Sequence, residues 1–261
     1  MELAAPSHWK TVDFLSDIHL DAGERETFEL WRAYLENTHA DAVVILGDLF
    51  EVWVGDDALD QHHPFEQACV TALRSAGERL NLFIMTGNRD FLMGSALMKN
   101  CGAQALPDPT VLIFNGQRFV LSHGDALCTG DTDYQAFRKL VRSPQWQHTF
   151  LSKPLTERQA IARDIRSKSE TKKSSGDWYA DVDAIAALDL LRTHDSTTLI
   201  HGHTHRPGQV DLGNGHTRWV LSDWVVNATP PRADVLRLTA DGVSATHLTR
   251  LQGTAVKTAQ R

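Results

Sequence analysis

The sequence predicts an α/β fold in which two sheets form a sandwich with helices on the outside. Three observations carry this. Short apolar runs of strand length alternate with amphipathic helical stretches. Five of those runs end in polar side chains able to bind metal. The second half of the chain places turn signals between further strand-length runs.

In chain order, Val12-Asp13-Phe14-Leu15 is the first strand-like run. Arg25 to Glu36 carries Phe28, Trp31 and Leu35 at spacings of three to four, so it is an amphipathic helix that covers a sheet. Ala42-Val43-Val44-Ile45-Leu46 is a second buried strand. Phe65 to Leu80 sets Phe65, Cys69, Ala72, Leu73 and Ala76 on one helical face, with Pro64 suited to the first turn. Leu82-Phe83-Ile84-Met85 is a third strand. Residues 110–114 and 118–122 flank Asn115-Gly116, a hairpin signal. Ile185 to Leu191 belongs to another helix, and Thr198-Leu199-Ile200 to another strand. Residues 217–221, 234–238 and 243–249 read as antiparallel strands, with turns at Gly213-Asn214-Gly215 and Asp241-Gly242. The polar stretch after Leu251 is expected to fray. The domain plan is a core of 11–130 and 177–250, a helical insertion at 131–176, and a polar tail at 251–261.

Composition narrows the class. With 261 residues there is room for one large domain or one domain with an insertion. A formal net charge of −7 does not suggest a nucleic-acid binder. Cys69, Cys101 and Cys128 make no metal or redox spacing, and suit a reducing cytoplasm. Met1 to Lys10 lacks the pattern of a signal peptide, and no apolar run approaches the roughly 20 residues of a membrane span. No obligate protein partner is evident.

The polar side chains at the strand ends are Asp17 and His19, Asp48, Asn88, His123, and His203 and His205. Singly they are weak signals. Gly47-Asp48 is a common turn, Gly87-Asn88-Arg89-Asp90 fits a type I′ or II turn, and His203-Thr204-His205 also fits a surface cluster. Together they gain force, because open α/β sheets bind ligands at the carboxyl ends of their strands. Five strand ends can deliver carboxylates, imidazoles and one amide to a single point. This mixed set suits divalent Mn, Fe or Zn. Two such ions about 3.5–4 Å apart clamp a phosphoryl group.

In this order, Asp-x-His, Gly-Asp, Gly-Asn, His and Gly-His-x-His resemble the calcineurin-like metallophosphoesterases. Longer strings resemble one family within them, the UDP-2,3-diacylglucosamine hydrolases of lipid A synthesis. These strings are Ser16-Asp17-Ile18-His19-Leu20, Gly47 through Asp57, Gly87 through Leu92, and Ile200 through Pro207. The resemblance implies the calcineurin-like two-sheet sandwich with a helical lid, and two divalent ions, Mn2+ foremost. Asp17, His19, Asp48 and His205 would hold one ion. Asp48, Asn88, His123 and His203 would hold the other, with Asp48 bridging. It also implies catalytic roles for Asp48, Asn88 and Arg89. Substrate contacts would come from Asn88, Arg89, Asp131, Ser169, Lys172, Lys173 and His203. The family's Asn and Lys near the lid's end fall on Lys173 and Gly176 in an ungapped reading, so either Lys172 or Lys173 stands in for the missing base or the correspondence shifts there. The implied partners are a lipid-linked UDP-sugar and the anionic cytoplasmic face of the inner membrane, bound peripherally. Another esterase of the superfamily, or a metal-free scaffold, is the alternative. The seven intact ligands count against the scaffold.

Arg89 narrows the chemistry. Arg stays protonated and cannot act as a general acid, but its fork grips phosphate. A diphosphate expels a phosphate monoester, which leaves without protonation, so Arg89 favours diphosphate cleavage; the other reading pairs Arg89 with Asp90 or another acid. Residues 131–176 carry ten basic and five acidic side chains, net +5 against −12 for the rest. Tyr134, Phe137, Leu140 and Val141 share a helical face there. The segment is either a solvated helical hairpin or a lid offering apolar surface to acyl chains and charge to a diphosphate and anionic head groups. Arg138, Lys139 and Arg142 are its candidate membrane contacts. Asp21, Asp90 and Asp125 either orient ligating histidines or form turns. Trp53 either packs against substrate or fills the core, and its apolar neighbours favour the core.

Overall fold

A computed structural model describes residues 1–174, 180–250 and 256–260, with side chains outside 167–174, 249, 250 and 256–260. The strands are β1 (Glu2–Ala4), β2 (Val12–Leu15), β3 (Ala42–Leu46), β4 (Asn81–Met85), β5 (Gln104–Leu106), β6 (Thr110–Phe114) and β7 (Gln117–Ser122). They continue as β8 (Thr198–His201), β9 (Gly208–Gly213), β10 (His216–Val220), β11 (Asp234–Thr239), β12 (Gly242–Arg250) and β13 (Val256–Gln260). The helices are α1 (Arg25–Asn37), α2 (Pro64–Gly77), α3 (Ser95–Cys101), α4 (Thr132–Val141), α5 (Pro144–Leu151), α6 (Leu155–Ser174) and α7 (Ala184–Thr193).

One sheet runs β1-β6-β7-β8-β10-β9 and the other β13-β12-β11-β2-β3-β4-β5. In the second, β2 to β5 are parallel, and crossovers through α1, α2 and α3 lay those helices on its outer face. Parallel strands covered on both sides read as continuous apolar runs, which is why Ala42–Leu46 stood out. Alternate residues divide between two cores. Phe14, Val44, Leu46, Phe83 and Met85 face the other sheet, where they meet Leu112, Phe119, Leu121 and Ile200. Leu15, Val43, Ile45, Leu82 and Ile84 face Trp31, Leu35, Cys69 and Leu73 of the helices. A smaller core joins Val111, Val120 and Leu199 to Ala187 and Leu191 of α7. All three cysteines are buried and free.

Most expected elements are present. Asn115 and Gly116 (φ 49° and 76°) make the tight turn between antiparallel β6 and β7. Asn214 and Gly215 (φ 51° and 77°) do the same between β9 and β10. The antiparallel reading of 217–221 is half right, since β10 pairs antiparallel with β9 but parallel with β8. β9 itself, Gly-Gln-Val-Asp-Leu-Gly, is a largely exposed edge strand and carries no apolar pattern. The stretch expected to fray holds β13, which pairs with β12 at the sheet edge. Asp13 interrupts the apolar run of β2 because it faces α1. There it accepts from Tyr34 Oη at 2.6 Å and takes both arms of Arg237 at 2.7 and 2.8 Å.

Residues 131–174 leave the sandwich as three helices, α4 to α6, rather than a single hairpin. Asp131 caps α4 by accepting from Tyr134 N at 3.0 Å. Ser143 caps α5, with Pro144 in its first turn. Buried charges tie the segment down. Arg158 of α6, 1% exposed, reaches the Val54 carbonyl and the Asp57 carboxylate. Gly55 (φ +131°) makes room, since a Cβ there would strike this guanidinium and Leu151. Arg138 of α4 and Arg142, just past its end, converge on buried Asp125 at 2.8 and 3.5 Å, and Tyr134 Oη donates to the same carboxylate at 2.7 Å. These two arginines are therefore latches onto the core and not a free basic face; only Lys139 of the three expected contacts is exposed.

Candidate metal centre

The ends of β2, β3, β4, β7 and β8 converge, and the loops that follow them are bonded to one another. Asp17 N donates to Gly47 O at 3.1 Å, His19 N to Asp48 O at 3.0 Å, Gly202 N to His123 O at 2.9 Å and Trp224 N to Asp17 O at 3.0 Å. Asp17, His19, Asp48, His203 and His205 all have φ between 52° and 69°. Left-handed backbone at non-glycine residues costs on the order of 1–3 kcal/mol each, and clusters where function demands it. Gly202 is held to glycine by contact, because a Cβ would lie 2.1 Å from Ser16 Oγ and 2.3 Å from Asp17 Oδ2.

The seven expected ligands form one connected cluster. His205 Nε2 lies 3.3 Å from Asp17 Oδ1. His19 Nε2 lies 4.0 Å from Asp17 Oδ1 and 4.0 Å from Asp48 Oδ2. His123 Nε2 is 3.7 Å from Asp48 Oδ1. Asn88 Oδ1 sits 2.9 Å from His123 Nε2 and 2.8 Å from His203 Nδ1. Two donor groups are tight enough for one ion each: Asp17, His19 and His205, and Asp17, Asp48 and His123, with ligand atoms within 4.8 Å. Asp17 Oδ1 is buried with no hydrogen-bond partner among the described residues. A carboxylate oxygen ringed by imidazole nitrogens and left without a proton donor is the arrangement a divalent cation completes. The residues fit the group that the sequence pattern implies.

Electrostatics agree. Burial works against the charged form of Asp17, but the neighbouring His205, His123 and His19 prevail and hold its carboxyl well below the usual range. Burial opposes protonation of His123, yet Asp48, Asp125 and Asp17 push it up to about 9. Burial and then His123 push His203 down to about 3.

The undecided aspartates separate. Asp21 is an exposed turn former that accepts from Gly23 N at 2.8 Å. Asp90 is buried and receives Leu49 N at 2.8 Å and Gly87 N at 2.7 Å, so it braces the loops carrying Asp48 and Asn88. Burial and the nearby Asp48 raise it to about 7. Asp125 holds the lid. The groups that face the ligand imidazoles are others: Leu46 O, 2.9 Å from His123 Nδ1; Glu51, 3.1 Å from His19 Nδ1; and Asp223, 3.5 Å from His205 Nδ1. Asp223 follows β10 as the ligands follow their own strands, so strand-end position was a usable signal. Nothing in the spacing marked Glu51. Arg89 pairs with Glu51 at 3.1 Å, not with Asp90, and still lines the cleft. Trp53 is buried in the core, its ring tilted against Phe50 at 4.7 Å with Nε1 donating to Asp56 at 3.0 Å, and it also lines the cleft.

The cluster opens into a cleft of about 740 Å³ between the strand ends and α4 to α6. His19, Asp48, Asn88, His203 and His205 lie at its polar end, and Phe91, Phe137, Val141, Trp146, Phe150 and Ile165 line its apolar part. Trp146 and Phe150 stack at 4.6 Å. Asp131 is on the wall, while the side chains of Ser169, Lys172 and Lys173 lie outside the described residues.

Fold and ligand set together define a metal-dependent phosphoesterase. The sequence profile of the calcineurin-like phosphoesterases matches residues 10–207. UDP-2,3-diacylglucosamine hydrolase of Chromobacterium violaceum is 44% identical, covering 82% of this chain and 90% of that one. The hydrolases of the same name from Aromatoleum aromaticum (44%, 81% and 88% covered) and Bordetella pertussis (39%, 87% and 91%) are similar. The chain belongs to the calcineurin-like phosphoesterase family, and within it to the group of the UDP-2,3-diacylglucosamine hydrolases. Among solved structures, zinc-bound Vps29 of Entamoeba histolytica aligns at 15% identity with a TM-score of 0.47, covering 96% of this chain and 98% of that one.

Proposed function

We propose that this enzyme hydrolyses the diphosphate of UDP-2,3-diacylglucosamine to UMP and 2,3-diacylglucosamine 1-phosphate. The observation that carries the reading is one cleft lined both by metal-ligand side chains and by an aromatic, aliphatic set from the lid and the loop after β4. Such a cleft suits a molecule that is phosphate at one end and hydrocarbon at the other. The names of its relatives point the same way. A cyclic-nucleotide or phosphoprotein esterase has no use for that wall.

Asp17, His19, Asp48 and His205 would hold one divalent ion, Mn2+ foremost, and Asp48, Asn88, His123 and His203 the other. Asp17 belongs to both compact donor groups, so it stands beside Asp48 at the centre of the pair. When bound, such ions bring a water's pKa towards neutrality and offset phosphoryl charge. The rest falls to the chain itself. Arg89 N donates to Asp48 Oδ1 at 2.8 Å, and the Arg89 guanidinium, paired with Glu51, lines the cleft where it would meet phosphate. The segment 131–176 acts as a lid whose inner face takes the acyl chains. Asp131, Ser169, Lys172 and Lys173 remain its proposed head-group contacts.

The enzyme meets its substrate at the cytoplasmic surface of the inner membrane. No helix among the described residues is long and apolar enough to cross a membrane. Phe137, Leu140, Leu151 and Ile165 on the lid are exposed, Leu140 by 56%. UMP release from the lipid-linked substrate, set against release of aryl alcohol from an aryl phosphate diester, tests the reading. Turnover of the diphosphate far above the diester is the expected result. Preference for the diester would overturn it.

A further inference from the structure

The least explained buried group near the site is Glu51, 8% exposed. It follows β3 by five residues, in the loop that Asp48 begins. Oε2 lies 3.1 Å from His19 Nδ1, and Oε1 lies 3.1 Å from Arg89 Nη1. The Arg166 guanidinium, from α6, makes an ion pair with Oε1 as well. One carboxylate thus meets a metal ligand, a cleft-lining arginine of the core, and an arginine of the lid.

A lone buried carboxylate is unfavourable, and two arginines facing one cleft repel each other. Glu51 resolves both, since each partner offsets part of its charge. Its contact also fixes a ring. His19 Nδ1 has no hydrogen bond among the described residues, and Glu51 Oε2, 3.1 Å away, is the carboxylate placed to take a proton from it and so to present Nε2 to the Asp17–Asp48 oxygens, the orientation a ligating histidine needs. Arg158 pins the first turn of α6 to the core independently, through Asp57 and Val54 O. Arg166 lies two turns further along the same helix, so its pairing with Glu51 ties that part of α6 to the cleft as well.

We propose that Glu51 is a positioning residue that couples the lid to the metal centre, with its carboxylate orienting His19 while holding Arg166 of α6 and Arg89 in place. The inference rests on the metallophosphoesterase reading above and goes beyond it. Loosening of the lid and loss of His19 orientation have one common cause, and both act through this side chain.

The test uses the full chain stripped of metal, with Mn2+ alone as ligand. Titration calorimetry follows metal binding, and backbone hydrogen exchange follows residues 155–166. In Glu51→Gln, one of two Mn2+ equivalents should bind about 10–100-fold more weakly, as for loss of an outer partner of a ligating histidine. Exchange over 155–166 should quicken, while β3 and β4 exchange as in the parent, which shows that the fold is intact. Arg166→Gln should quicken the same amides yet leave both Mn2+ equivalents in place. Unchanged Mn2+ binding in Glu51→Gln, or unchanged exchange over 155–166 in either variant, overturns the proposal. If Glu51→Gln fails to fold, Arg166→Gln alone decides, because constant exchange there removes the link to the lid. A parent chain that binds no Mn2+ at all refutes the metal reading itself, a separate failure.

Discussion

The strand-end cluster and the lid over it are built by opposite means. The cluster is held by backbone: parallel strands in register, loops hydrogen-bonded to neighbouring loops, and five ligand-bearing residues in left-handed conformations. The lid is held by side chains: Phe150, Trp146, Leu155 and Ile161 pack on the helix-side core, and a few arginines reach acidic side chains. Arg158 meets Asp57, Arg138 and Arg142 meet Asp125, and Arg166 meets Glu51. Backbone ladders fix positions to fractions of an ångström and open only with the whole domain. Side-chain ion pairs over a wet cleft can break one at a time. The division suits an enzyme whose donors must stay still while a lipid substrate enters and leaves.

The sharpest way to break this contrast is at Asp48. Asp48→Asn keeps the shape and removes the charge facing His19 and His123. Turnover should fall by more than the roughly 100-fold that loss of an outer partner brings. Metal content should fall at both sites. If metal stoichiometry and turnover both stay near the parent's, the paired-ion reading is wrong.

Gly202→Ala probes the rigid side without altering charge. The added methyl must displace Ser16 Oγ and Asp17 Oδ2 from 2.1 and 2.3 Å, deep in the cluster. Overpacking of this kind costs about 1–3 kcal/mol. The urea midpoint should drop accordingly, and metal affinity with it. An unchanged midpoint would mean that the strand ends are softer than their hydrogen bonds indicate.

Arg158→Met probes the other side. Asp57 is half exposed and re-solvates, so the main loss is the bond to Val54 O and the packing against Gly55. A lost bond to a charged group is worth about 1.5–3 kcal/mol, or roughly 10–150-fold in a local opening constant. That loss should appear as faster hydrogen exchange in α5 and α6, with β3 and β4 unaffected. Exchange quickening equally in the strands would show that the lid is part of the core's cooperative unit.

A pH experiment addresses the junction where the chain returns from the lid. Asp181 takes both arms of Arg218 at 3.0 and 2.9 Å, and chiefly through that hydrogen bond, against burial, its pKa is lowered to about 2. A depressed folded-state pKa contributes stability above the ordinary value of 3.8, and that contribution is lost as pH falls towards 2. Asp181→Asn should therefore be less stable than the parent at pH 6, with the gap closing between about pH 4 and pH 2. A gap that persists below pH 2 would assign the effect to packing.

The same division explains what the sequence disclosed. The core was legible because burial on both faces leaves continuous apolar runs, and because a ligand must follow a strand end to reach the cluster. β9 and β13 lie at sheet edges, and β9 was missed because an exposed edge strand needs no apolar pattern. In the lid, helical spacing marked α4, but charge count misled. Arg138 and Arg142 read as solvent-facing cations, and only tertiary structure supplies the buried Asp125 that they serve. Glu51 was invisible for the same reason. A residue type states what a side chain can bind, not which way it turns.

That correction changes the membrane experiment, where the smallest effects are expected. Each cation near an anionic bilayer contributes about 1 kcal/mol and is screened by salt over roughly 10 Å. Lys139 and Arg163 are exposed on the lid beside Leu140 and Ile165, with no core carboxylate holding them among the described residues. Replacing both with Ser should weaken binding to anionic vesicles by up to about 2 kcal/mol, and the difference should vanish at high salt. Hydrolysis of detergent-dispersed substrate should be nearly unchanged. Replacing Arg138 and Arg142 should do the reverse, because it leaves buried Asp125 without its ion pairs and frees α4: turnover falls in detergent, where no membrane is present. If the Lys139 and Arg163 variant sediments with vesicles as the parent does, the exposed face of α4 and α6 is not the contact. The Phe137–Leu140 edge would then bind through its hydrocarbon surface, which salt does not weaken.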